Sequence, residues 1–327
     1  MNMRTLTRII GSAHAREESL LMYRVATMHF VDRRSNFKIS RDLGISRFRV
    51  ARFLEQSVVS GTVKTRVAFQ GAVDLTLSER LKSTFGLESA RVSDQTGEDR
   101  WRAVGVSYLA IRLVSDLLKD GARLGLSWGR TLESVTEFAS HLTLDLPKVD
   151  VVQLVGGVTS NSGGLEASDL VRRFALLTRG QGVVLNSPFL VPTSEVAQGL
   201  RSESSISAAL TVGASTDVAL FSVGAWKSGQ SMLWKLLSDE DRLLGERAGV
   251  TADVCGSLIT ATGEVVAGDL SERIMAIGAD ALYRVPRRVA VVLGTDKTDA
   301  LQSALKSGLI TDLVVEANTA RSLLQLR

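Results

Sequence analysis

The feature that most constrains this chain is a series of short apolar runs rich in β-branched residues. They lie at Val149–Val155, Val183–Leu185, Val218–Val223, Val289–Leu293 and Leu313–Val315, most of them followed by helix-like stretches. Successive strand residues point to opposite faces of a sheet, so a strand apolar at every position must be covered on both sides. Such strands separated by helices predict an α/β domain with a parallel sheet between two helical layers. Ligands of open parallel sheets sit beyond the carboxyl ends of the strands, near the point where strand order reverses. The four prolines (Pro147, Pro188, Pro192, Pro286) all follow residue 146, and no internal repeat or low-complexity tract is visible.

Composition removes several classes of function. Runs such as Val289–Leu293 are far too short to span a bilayer. The stretch Met1–Gly11 is basic but lacks the apolar core of a signal peptide, so a cytoplasmic protein is expected. A single cysteine, Cys255, excludes an intrachain disulfide, and His14, His29 and His141 are too scattered for a zinc site. No metal and no cofactor are expected. The 327 residues suggest about two domains. The net charge of +4 conceals an asymmetry: residues 1–70 carry 13 Lys and Arg against 5 Asp and Glu, whereas 71–327 carry 26 against 30. A basic head on a mildly acidic body points to a polyanion-binding unit joined to one with another task. The boundary is placed at Gln70-Gly71, giving domains 1–70 and 71–327.

Within the head, Leu20, Val25, Met28 and Val31 recur at helical spacing. The segment Lys38–Leu54 then has helix-turn-helix grammar. Ile39 and Leu43 share a helix face, small Ser40 permits close helix approach, and Gly44 supplies the positive φ of a tight turn. Ser46 is suited to cap a second helix that turns Val50, Phe53 and Leu54 inward. Ser46, Arg47, Phe48, Arg49 and Arg52 are thereby the candidate DNA-binding residues, on a helix able to enter a major groove. Gly61–Phe69 reads as a following strand whose Lys64 and Arg66 could touch phosphate.

Three stretches together resemble the SorC-type sugar-binding transcriptional regulators, relatives of the DeoR-type repressors. One is the head, ending in Ser57-Val-Val-Ser-Gly-Thr-Val63. Another is Val104–Ala110 leading to Leu124-Gly-Leu-Ser-Trp-Gly-Arg-Thr-Leu132. The last comprises Ala248–Gly256, Leu293-Gly-Thr-Asp-Lys297 and Thr311–Glu316. The resemblance implies a Rossmann-like, sugar-phosphate isomerase-like body that binds a sugar or sugar-phosphate effector, and a homotetramer built through the bodies. At Ser127–Thr131 a strand end, a glycine turn and a helix start form an anion cradle from free N–H groups, the Thr131 hydroxyl and the Arg130 charge. The resemblance assigns this loop, with Gly129, to the phosphate or nearby hydroxyls of the effector. Gly156 and Gly157 form a second close-approach turn at the same sheet edge. Glu166, Asp253 and Lys297 match the family's pocket positions for hydroxyls, hydroxyls and phosphate or another ligand oxygen. For Glu166 a solvated helix carboxylate is an equal alternative. The chain departs from the family at Gly294-Thr295, where a double glycine is frequent, and at Thr260, where aspartate is common. Both departures bear on which effector is bound.

An isomerase or deaminase reading competes, since the implied body resembles those enzymes. Asp253 or Glu166 would have to act as acid or base, and no histidine lies near the glycine turns or Lys297. Lys297 could form a Schiff base with an aldehyde ligand, which captures an effector rather than turning it over. No catalytic residue is assigned. An architectural DNA-binding protein would have no use for the body. The sequence thus favours a regulator bound to operator DNA as an oligomer and controlled by a sugar.

Overall fold

The computed structural model describes residues 17–63, 71–141, 146–158 and 167–326. The chain divides into two compact units, Met1–Val67 and Ala68–Arg327.

Among its described residues the first unit holds three helices: α1 (17–26), which widens into a π turn at Thr27–Val31, α2 (Asn36–Leu43) and α3 (Arg47–Val59). Their shared core is Val25, Ile39, Val50 and Phe53, with Leu21, Met22, Met28, Leu43, Ile45 and Leu54 packed around it. The expected apolar stripe on α1 is partly displaced, because Leu20 and Val31 are exposed. Leu21, four residues before Val25, shares its face, whereas Leu20 lies about 140° away and Val31 is the last residue of the π turn. The turn behaves as read: Gly44 has φ 64°, and the Ser46 hydroxyl accepts from Arg49 N at 3.2 Å. Ser40 adds a role the sequence did not suggest, its Oγ donating to Ile45 O at 2.6 Å across the turn. Gly61 turns the chain with φ 72° and Val63 N bonds back to Ser57 O, so the segment read as a strand opens with a turn. Lys64 and Arg66 lie outside the described residues.

The second unit is built on a seven-stranded sheet. Its strands are β1 (Ser89–Ser93), β2 (Arg123–Leu126), β3 (Asp150–Gln153), β4 (Gly182–Val183), β5 (Val218–Phe221), β9 (Arg287–Val292) and β10 (Asp312–Glu316). Every pairing is parallel, in the order β1-β10-β9-β5-β2-β3-β4. The burial expected of doubly covered strands is present. Val218 and Leu220, Val289 and Val291, and Val314 pack on one face; Ala219 and Phe221, Ala290 and Val292, and Leu313 and Val315 pack on the other. The chain runs outward from β2 through β3 to β4, then returns to place β5 on the opposite side of β2. That reversal opens a crevice at the carboxyl ends of β2 and β5.

A second, antiparallel sheet of β6 (Val223–Ala225), β7 (Val250–Val254) and β8 (Ser257–Thr260) roofs this end. The sequence reading did not separate these strands. β6 follows β5 after one residue, and the β7–β8 turn is Cys255-Gly256 with φ 48° and 78°. Both values are positive, the backbone of a tight primed hairpin, yet cysteine carries none of the usual signal for it. Among the described residues, no helix is long and apolar enough to cross a membrane.

Candidate functional site

A cavity of about 800 Å³ opens at the carboxyl end of the parallel sheet. Its wall combines the loops after β2, β5 and β9, the end of β10, the β7–β8 turn and the segment Ser228–Lys235. Three sequence-separated groups of expected site residues therefore meet in one place: Gly129, Arg130 and Thr131; Asp253; and Lys297.

The loop after β2 is shaped for close approach. Gly129 has φ 136°, in a region that strains any residue with a Cβ, and it delivers the chain into the helix Arg130–His141. Glu133 N closes the first helical bond on Gly129 O, so the preceding N–H groups stand at the open, positive end of the helix. Thr131 is buried beside them and Arg130 is exposed, its guanidinium donating to Gly229 O. Trp128 anchors the loop: its Nε1 donates to Gly156 O at 2.8 Å and its ring meets Phe189 edge to face at 5.5 Å.

Gly156 and Gly157 are absent from the cavity wall. Their N–H groups are engaged by Met275 O and Ser187 O, both at 2.7 Å, and a Cβ on Gly156 would lie 2.4 Å from Pro188 O. Gly156 permits close backbone packing behind the site, and the N–H groups of both glycines are engaged away from the cavity. Glu166 lies outside the described residues.

On the same cavity, Asp253 Oδ2 accepts from Ser231 Oγ at 2.7 Å, while Lys297 Nζ donates to Val223 O at 3.0 Å. Burial pushes the Asp253 carboxyl above its ordinary range, against the pull of the Ser231 hydrogen bond and the Lys297 charge. Burial lowers the Lys297 ammonium in the same way, and Asp253 opposes that shift. The charged form of Asp253 is favoured first by the Ser231 hydroxyl and then by Lys297, and that of Lys297 by Asp253. Cys255 also lines the cavity, its thiol facing Ser127 and pushed up by burial and by the neighbouring Asp253. That shift leaves it protonated and unreactive.

Several wall residues escaped the sequence reading. Glu316, at the end of β10, is buried; its Oε2 meets Arg102 Nε at 2.9 Å and its Oε1 accepts from Gly294 N at 3.2 Å. One carboxylate therefore ties the helix Asp99–Leu117 to the loop carrying Lys297. A charged residue closing the apolar strand Leu313–Val315 was the available signal. Ser231 caps the helix Met232–Leu236 through Trp234 N while donating to Asp253. Arg242 packs over Trp234 and pairs with Asp239 at 2.7 Å. Of the three arginines on the wall, Arg102 and Arg242 meet carboxylates, whereas Arg130 donates to the Gly229 carbonyl. Among the described residues no group of His, Cys, Asp and Glu could hold a metal ion. The chemistry present suits polar oxygens: a carboxylate and hydroxyls for sugar hydroxyls, and cations with a helix start for an anion.

In the first unit, Arg47, Phe48 and Arg52 are exposed on α3, and Arg49 is half-buried. Arg47 stacks on the Phe37 ring at 4.5 Å. Arg49 and Arg52 approach Glu18 Oε1 at 3.5 and 3.7 Å. Ser46 points its hydroxyl to the helix backbone as a cap.

The profile of the family described as "Putative sugar-binding domain" matches residues 71–325. The transcriptional regulator LsrR of Enterobacter sp. (strain 638) is 27% identical over 324 residues, covering 98% of this chain and 97% of that protein. The sorbitol operon regulator of Klebsiella pneumoniae is 26% identical over 314 residues, covering 93% and 98%. Among solved structures, the full-length sorbitol operon regulator SorC from Klebsiella pneumoniae superposes with a TM-score of 0.68 at 24% identity, covering 94% of this chain and 99% of that one. A sugar-binding regulator domain from Arthrobacter aurescens TC1 gives 0.68 at 26% identity, covering 76% and 96%.

Proposed function

The chain belongs to the sugar-binding domain family of SorC-type, DeoR-related transcriptional regulators, and from that premise we propose that it is a DNA-binding regulator whose operator affinity is set by a sugar or phosphorylated sugar. The observation that carries this reading is the convergence of Arg130, Asp253 and Lys297 on one cavity at the strand ends, in a chain that also carries a basic three-helix unit. Asp253 takes sugar hydroxyls, helped by Ser231. Gly129, Arg130, Thr131 and Lys297 receive an anionic group. In the first unit α2 and α3 act as a helix-turn-helix: the α3 surface from Ser46 to Arg52 enters the major groove, and its arginines meet phosphates or guanine edges.

The chain acts as an oligomer, in the manner of a tetramer, because one short helix reads too few base pairs for useful specificity. Acting on operator DNA places it in the cytoplasm. It is a sensor rather than an isomerase: no histidine lines the cavity among the described residues, and Cys255 is held protonated. The effector shifts operator affinity through its unequal affinity for two arrangements of the assembly.

The test is a fluorescence-anisotropy titration of the full chain on DNA from immediately upstream of its own gene, with and without a pool of sugar phosphates. At physiological salt non-specific binding has Kd of roughly 10⁻⁴ to 10⁻⁶ M. Selective nanomolar binding that shifts with the pool supports the reading. Selective binding indifferent to it redirects the search to unphosphorylated sugars, and weak unselective binding overturns the regulator.

A further inference from the structure

The surface of α3 divides into an inward face, two flanks and an outward ridge. Val50, Phe53 and Ser57 are buried. On one flank Arg49 lies against Phe53, with its guanidinium 5.3 Å from the ring centroid and Nη2 3.5 Å from Glu18 Oε1. On the other, Arg47 is stacked on Phe37. Between them project Phe48, Ala51, Arg52 and Glu55, all exposed. Phe48 is 91% exposed, the highest value among the large hydrophobic side chains described.

A whole benzyl group held in water contributes nothing to the core of this unit. Arg47, Arg49 and Arg52 stand before and after it on the same helix, which suits a polyanion rather than another protein's apolar face. We propose that Phe48 is a base-reading residue that packs on the C5-methyl group of thymine in the major groove, so that the operator carries a thymine beneath the first turn of α3. This rests on the DNA-binding reading above. A phenyl ring can neither donate to nor accept from base edges, and the thymine methyl is the one apolar feature the major groove displays. Over any other base the ring would cover a polar edge without replacing its hydrogen bonds to water. The second residue of a recognition helix is also among those that reach base edges, since the N-terminal turn enters deepest. Arg47 and Arg49, held by Phe37 and Glu18, flank this contact.

The full-length chain first enriches duplexes from a randomised library. In the enriched duplex each thymine is then replaced singly by deoxyuridine, which deletes the methyl and nothing else. One or two replacements weaken wild-type binding about fourfold, the worth of one buried carbon group. Phe48→Ala binds the parent duplex about tenfold more weakly and is indifferent to those replacements, while Phe48→Leu keeps part of the sensitivity. Phe48 lies outside the core, so unchanged melting of both variants verifies the fold. Wild-type indifference to every deoxyuridine, or an equal response in Phe48→Ala, overturns the proposal. Indifference combined with weak binding by Phe48→Ala assigns the ring to wedging between base steps instead. A library from which nothing selective emerges fails at the earlier step and overturns the DNA-binding reading itself.

Discussion

Gly224 is glycine because the Asp253 carboxylate fills the space of its Cβ, which would stand 1.9 Å from Oδ2. That carboxylate is held by the Ser231 hydroxyl, so this hydrogen bond must be disturbed if a methyl is added. Gly224→Ala is therefore expected to weaken sugar-phosphate binding at least tenfold in calorimetry, with melting lowered by only a few degrees. Asp253 itself offers a pH test. Its carboxyl is raised in the fold by burial, so the folded chain holds the proton more tightly than the unfolded one. Stability from this group is then complete below the unfolded carboxylate pKa of about 4 and declines as pH rises through the higher folded value. Asp253→Asn cannot ionise. It is expected to melt above wild type at pH 7.5, with the difference disappearing near pH 4, while its effector binding falls. Melting curves across that range check the sign. At this scale the sequence was informative wherever chemistry and turn geometry coincide, as at Gly129, Arg130, Asp253 and Lys297. It was silent on Arg102 and Glu316, whose partners lie more than two hundred residues apart in the chain.

The loop bearing Lys297 is positioned by Glu316, which links it to the helix Asp99–Leu117 through Gly294 N and Arg102. Glu316→Ala leaves Gly294 N–H unpaired and Arg102 without its buried partner. Because Arg102 is partly exposed, the cost is expected at about 2–4 kcal/mol, below the full loss of a buried pair. Urea unfolding followed by near-ultraviolet dichroism measures it, and Glu316→Gln, which still accepts from Gly294, is expected to lose about half as much. The runs that became β3, β5, β9 and β10 were legible because burial on both faces writes itself into consecutive apolar residues. The strand β7, Val250-Thr-Ala-Asp-Val254, alternates between buried and half-buried positions and carries the cavity-lining Asp253. Its turn, Cys255-Gly256, lacks the asparagine or aspartate that marks such hairpins, so pattern alone left it a loop. On α1 the stripe was misread by one position at Leu20, which stands five residues before Val25 rather than four, and at Val31, where the π turn interrupts the helical period.

For the whole molecule, effector control requires that sugar and operator bind with coupled free energies. A typical coupling of 1–3 kcal/mol corresponds to about 5- to 150-fold in affinity. Once an effector is found, the factor by which it changes operator affinity must equal the factor by which operator DNA changes effector affinity. Paired anisotropy and calorimetry titrations test that equality, and unequal factors would exclude a closed two-ligand cycle. The sequence by itself determined the α/β class of the body, the charge-marked head, the capped turn between α2 and α3, and five of the residues that meet in the cavity, Gly129, Arg130, Thr131, Asp253 and Lys297. Those follow from local physics: periodicity, backbone conformation and the solvation of charge. Only the tertiary structure decided that β5 returns beside β2 and opens the crevice, that Gly156 and Gly157 pack behind it, and that Arg102, Ser231 and Glu316 complete its wall. These depend on which distant segments pair across the sheet, a choice set by the packing of the whole core rather than by any stretch of chain.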